Sequence, residues 1–169
     1  MTDPDPTSPD PRAPRAPRAP DLSGGLVGLL GLEFTELGPD RVVIEWQTRP
    51  EHHQPFGIVH GGVYCSVVET AASIGGQVWL GDRGHVVGVN NQTDFLRAVR
   101  EGRLTAVATP VHRGRLQQLW VVEITDEAGR LVSRGQVRLQ NIDNSVRLGS
   151  APADASAGAA TGATTEPTS

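Results

Sequence analysis

A chain of 169 residues suits one domain and excludes two of full size. Its net charge of −4 argues against a general nucleic-acid binder, and the fact that all fifteen basic residues are Arg carries no function by itself. Cys65 is the only cysteine, which excludes an intrachain disulfide and a Cys-rich structural zinc site.

Residues 1–21 are rich in proline and carry a triple Arg-Ala-Pro repeat across Pro11–Pro20. Such a segment cannot bury enough apolar surface to offset its ordering entropy, so it is predicted to be disordered, as an extended spacer. Residues 149–169, rich in Ala, Thr, Ser and Gly, are predicted to be disordered for the same reason. Between them, residues 22–148 form the predicted domain, long enough for one hydrophobic core. The N-terminus lacks the apolar stretch of a secretory signal, and the chain has no run of about 18 apolar residues. A soluble, cytoplasmic protein is expected.

Asp21–Gly31 reads as a short helix, capped by Asp21 or Ser23 and ended by Gly31. Leu32–Leu37 and Arg41–Thr48 read as strands around a Gly38-Pro39-Asp40 turn. In the second strand Val42, Ile44 and Trp46 share one face; Arg41, Val43, Glu45 and Gln47 share the other. After a loop with Pro50 and Pro55 comes the longest helical pattern, Gly61–Leu80. Val63, Val67, Ala71, Ile74 and Val78 form a stripe predicted to lie on a sheet. The rest reads as strand: His85–Phe95, Leu104–Val111, Gln117–Thr125 and Leu131–Gln140, with glycines in the turns. Six antiparallel strands and one long helix predict an α+β sheet wrapped around that helix.

The informative stretch runs from Gln54 to Ser73. His60-Gly61-Gly62 opens the long helix, where the first amides lack intrahelical acceptors and the helix dipole is positive. Glycine lets another molecule approach that backbone, so this is a candidate oxyanion site. Many Gly-Gly pairs are simple turns, and the pair alone does not decide. Glu69 lies off the apolar stripe, and its neighbours on the helical wheel are small: Gly62, Ser66, Ala72, Ser73 and Gly76. An open surface would carry more charge, so a partner helix, a ligand or both are expected to pack there. Gly61 and Glu69 are eight residues apart, about 12 Å along a helix. One helix cannot easily aim both groups at one carbon. An antiparallel copy across a two-fold axis would bring Glu69 of one chain to Gly61 of the other, so a site shared at a symmetric dimer interface is expected.

These residues resemble the hotdog-fold acyl-CoA thioesterases that use a catalytic glutamate, the branch with 4-hydroxybenzoyl-CoA and 1,4-dihydroxy-2-naphthoyl-CoA thioesterases. The phenylacetate-pathway thioesterases resemble a sister group with Asp in place of Glu. The resemblance covers most of residues 32–142. It is carried by Gln-x5-His-Gly-Gly-x6-Glu-x3-Ser, here Gln54, His60, Gly61, Gly62, Glu69 and Ser73, and by the run from Val87 through Arg97 to Ala106. It implies a hotdog fold, thioester hydrolysis with CoA as part of substrate and product, and no cofactor or metal. It implies that Glu69 is the nucleophile or the general base. The Gly61 amide would polarise the carbonyl, Gln54 and His60 would orient it, and Ser73 would position the water or the glutamate. It also implies a homodimer with shared sites, paired into a tetramer, with neither nucleic acid nor membrane as partner. Phe95 stands where some relatives carry His, and Asn90 and Asn91 also depart; these differences bear on the acyl group. A core position for Phe95 is equally open.

Other chemistries fit less well. Gly-x-Ser-x-Gly and His-Glu-x-x-His are absent. His52, His53 and His60 lack a carboxylate or Cys at metal-ligand spacing. Cys65 lies within a helix without an evident base and reads as a buried, inert thiol. Arg97, Arg113 and Arg115 are either contacts for CoA phosphates or solvated strand-end residues. Two alternatives to the hydrolase remain: a hotdog protein that binds acyl-CoA without turnover, and a thioesterase for carrier-protein-bound acyl chains.

Overall fold

The computed structural model describes residue 22 and residues 24–145. The two predicted disordered tails lie outside the described residues. Helix α1 (Gly25–Leu30) precedes strands β1 (Glu33–Leu37) and β2 (Val42–Gln47). The long helix α2 (Gly61–Leu80) is followed by β3 (His85–Phe95), β4 (Arg103–Arg113), β5 (Gln117–Asp126) and β6 (Leu131–Ile142). The strands form one antiparallel sheet in the order β1-β2-β4-β5-β6-β3, wrapped around α2 in the predicted hotdog arrangement.

The sheet face toward α2 follows the period of two read from the sequence. Val42, Ile44, Trp46, Leu104, Ala106, Ala108, Trp120, Val122, Ile124, Val137 and Leu139 are all fully buried. The α1 boundary is a correction. Its N-cap is Gly24, with no side-chain cap, rather than Asp21 or Ser23; Gly31 ends it as expected. The glycines at its start shorten it from the N-terminal side.

The stripe on α2 needs a second correction. Val63, Val67 and Ala71 are buried, but Ile74 is half-buried and Val78 exposed. Tyr64, Val68, Ala72, Gly75 and Gly76 are buried instead. Cys65, expected to be buried, is only partly so. The sheet curls around the helix rather than touching one narrow stripe, so burial extends to the small residues. A Cβ on Gly75 would lie 2.7 Å from the Trp120 ring, and one on Gly76 would collide with Leu139. Gly76 is therefore small because the chain's own sheet presses on it, and Ala72 is fully buried within the chain. Gln118, fully buried on β5, donates to the Gly76 carbonyl at 3.3 Å and accepts from Trp120 Nε1 at 2.9 Å. That network fixes the C-terminal half of α2 over the sheet.

Candidate active site

The segment Thr48–His60 carries Gln54 and His60 and is tied down at several points. His60 N–H donates to the His52 carbonyl at 2.8 Å, and Val59 N–H to the Val99 carbonyl at 2.8 Å. His52 itself is buried, 2% exposed, and its Nδ1 accepts from Arg49 N–H at 3.3 Å. Burial first, and the Arg49 charge second, lower the His52 pKa below its ordinary 6.5. The folded chain then binds fewer protons than the unfolded one as pH falls past that value. Stability is full above about pH 6.5 and declines below it. Between about pH 7.5 and about pH 5 the thermal midpoint of the wild type is expected to fall more steeply than that of His52→Gln. Parallel curves would contradict this assignment.

Gln54 Oε1 accepts from Phe56 N–H. This fixes the side-chain amide with its oxygen on the loop backbone and its NH2 at the other end. His60 is the N-cap of α2, and its Nδ1 accepts from Gly62 N–H at 2.8 Å. An accepting Nδ1 holds no proton, so the ring is the Nε2–H tautomer, with a donor on its exposed side. Val63 N–H is satisfied by the His60 carbonyl at 2.9 Å. Gly61 N–H is the first amide of α2, ahead of any intrahelical acceptor.

Phe95 lies over this helix start. A Cβ on Gly61 would stand 2.7 Å from its ring. Phe95 is 56% exposed and tilts against Tyr64, with ring centroids 6.1 Å apart. The core reading of Phe95 is thus corrected: it belongs to the wall of a cavity. That cavity, of about 290 Å³, is lined by Gln54, Ile58, Gly61, Tyr64, Phe95 and Leu96, among others. Two of the five predicted residues, Gln54 and Gly61, meet there.

Glu69 and Ser73 lie about two and three turns further along the helix from Gly61, and Glu69 meets strand β3. Ser73 Oγ donates to Glu69 Oε1 at 3.5 Å. Asn91 Nδ2 donates to Glu69 Oε2 at 3.2 Å. The carboxylate sits on Gly88, where a Cβ would fall inside it. The sequence reading missed Gly88 and gave Asn91 no role at Glu69. The signal was faint: a lone glycine inside a strand marks a bulge or a close approach. Both occur here, because the β3–β6 register shifts between Gly88 and Asn90.

The arginines divide. Arg113 pairs with Asp40 at 2.8 Å and donates to the Pro39 carbonyl at 2.7 Å, so it braces the β1–β2 turn rather than standing ready for a phosphate. Arg97 lines the cavity beside Gly61.

Comparison with known proteins follows this geometry. A family model described as the Thioesterase superfamily matches residues 56–133. The chain is 39% identical over 107 residues to the proofreading thioesterase EntH of Cronobacter turicensis, covering 63% of this chain and 78% of that protein. It is 35% identical over 108 residues to the 1,4-dihydroxy-2-naphthoyl-CoA hydrolase of Escherichia coli K12, covering 64% and 79%. Among solved structures it is similar to S. sahachiroi AziG, with 56% identity, a TM-score of 0.70, and 71% and 98% of the two chains covered.

Proposed function

The chain belongs to the thioesterase superfamily, and on that premise we propose that it hydrolyses an acyl-CoA thioester to the free acid and CoA. The observation that carries this reading is the pair of groups on α2: an unspent amide at Gly61 and a carboxylate at Glu69 held by Asn91 and Ser73. Hydrolysis of a thioester needs a donor for the developing oxyanion and a carboxylate on the other side of the same carbonyl. Gly61 N–H is the oxyanion donor; Gln54 and His60 orient the carbonyl. Glu69 attacks the carbonyl carbon, forming an anhydride that water then opens, or takes the proton of the water that attacks. On either route the C–S bond breaks, the sulfur leaves with the electron pair as CoA thiolate, and it is then protonated. Ser73 holds the carboxylate or the water.

The two groups act in one site when two chains pair. Strand β3 is an edge of the sheet, and most of its residues are exposed. Its outward N–H and C=O groups are a template for another strand. In this proposal two copies join β3 to β3 across a two-fold axis, giving one continuous sheet with antiparallel α2 helices. Two such dimers pair into a tetramer, and the setting is cytoplasmic. The acyl group is small or aromatic: the cavity beside Gly61 is walled by Ile58, Tyr64, Phe95 and Leu96, an apolar setting for a flat ring. The hydrolase of Escherichia coli named above, with its naphthoyl substrate, supports the aromatic option.

The test is thiol release from a panel of aromatic and aliphatic acyl-CoA esters. Turnover of at least one is the expected result. Binding of CoA esters without turnover would instead favour an acyl-CoA-binding protein. Turnover only of carrier-protein thioesters would move the substrate assignment to that class.

A further inference from the structure

We propose that Asn91 is a positioning residue for Glu69, and that Thr93 anchors the far end of its amide. This rests on the reading of Glu69 as the reacting carboxylate. The β3 bulge makes the arrangement possible. In a regular strand, Gly88 and Asn90 would share a face and Asn91 would point away from the helix. The register shift between Gly88 and Asn90 places an extra residue there. Gly88, Asn91 and Thr93 then pair with Leu139, Val137 and Gly135, all buried on the helix side of β6.

Each atom of the Asn91 amide is used. Thr93 Oγ1 donates to Asn91 Oδ1 at 2.7 Å, with the NH2 group toward α2. Nδ2 donates to the Cys65 carbonyl at 3.0 Å and to Glu69 Oε2 at 3.2 Å. The helix carbonyl fixes the nitrogen, and the nitrogen fixes the carboxylate. A flipped amide would present Oδ1 to two acceptors, the Cys65 carbonyl and Glu69 Oε2, so these set its orientation, and the Thr93 hydroxyl anchors its other end. With Gly88 beneath it and Ser73 on its other oxygen, Glu69 is held in one place rather than sampling the rotamers of a solvated side chain. Misplacing a reacting group by about 1 Å costs on the order of a hundredfold in rate.

The test is steady-state kinetics on an acyl-CoA ester that the wild type turns over. Asn91→Ala is expected to lower kcat about tenfold with KM changed less than about twofold. Asn91→Asp sets a carboxylate against a carboxylate and is expected to lose about a hundredfold. Thr93→Val is expected to lower kcat a few-fold, and Thr93→Ser, which keeps the hydroxyl, to recover most of that loss. In a Glu69→Ala background, Asn91→Ala is expected to cost nothing more, because its only catalytic route is through Glu69. Wild-type kcat in folded Asn91→Ala, or a loss confined to KM, would overturn the proposal. Should Asn91→Ala fail to fold, equal activity in Thr93→Val and Thr93→Ser would overturn it. An active Glu69→Ala enzyme is a separate failure, and would remove the reading on which the proposal rests.

Discussion

Glu69→Ala is expected to lower kcat about a thousandfold while leaving KM and the fold nearly unchanged. The size follows from what a positioned carboxylate contributes as base or nucleophile, roughly 10²–10⁴-fold. The separation of kcat from KM follows from location. Glu69 is half-buried on α2 against β3, while the binding cavity lies at the head of α2 and is lined by other residues. The effect on stability is expected to be small for a similar reason. The carboxylate rests on Gly88 and accepts from Asn91 and Ser73, and trimming it leaves two polar groups that water can reach rather than a hole in the core. Kinetics and thermal melts on the same preparations check both halves. Retained turnover in Glu69→Ala would remove the mechanism and leave only the family assignment.

Gly88→Ala is expected to lower kcat about a hundredfold, although it adds only a methyl group to an exposed position of an edge strand. The added Cβ would fall inside the Glu69 carboxylate, so the side chain must swing away from Asn91 and Ser73. The estimate rests on the rate cost of a roughly 1 Å misplacement. Elsewhere on β3 the same change does little; Gln92, exposed and facing away from the helix, is a suitable control for Ala substitution. Measuring both variants separates a local clash from a general weakening of the strand. Equal activity in the two would show that the carboxylate does not need the space Gly88 leaves.

Much of the fold is legible because the sheet alternates strictly. Residues 85–95 and 61–80 are read from the sequence with the bounds the structure has, and the other strands within three residues at either end. Periodicity locates elements well when one face is buried and turns carry glycine. It fails on α2, where the sheet wraps so far around that small residues are buried and Val78 is not. A single-stripe expectation suits a helix lying on a flat sheet; this one lies in a curled one. Gln54, His60, Gly61, Glu69 and Ser73 are legible as a set because they lie within twenty residues and carry a recognisable spacing. Gly88 and Asn91 are not. Their link to Glu69 depends on how β3 is laid against α2 and on a bulge that reverses which side chains face the helix. Alternation alone points Asn91 the wrong way.

The central claim is that Gly61 and Glu69 work together from different chains. The direct test is a mixed dimer, purified by two different tags, of Glu69→Ala with Gly61→Val. Each variant alone is expected to be inactive, since the valine side chain would collide with Phe95 at the cavity. In the mixed dimer one site has both residues intact and the other has neither, so about half of the wild-type activity per dimer is expected. Activity no higher than that of either parent would contradict the shared site and return both groups to a single chain.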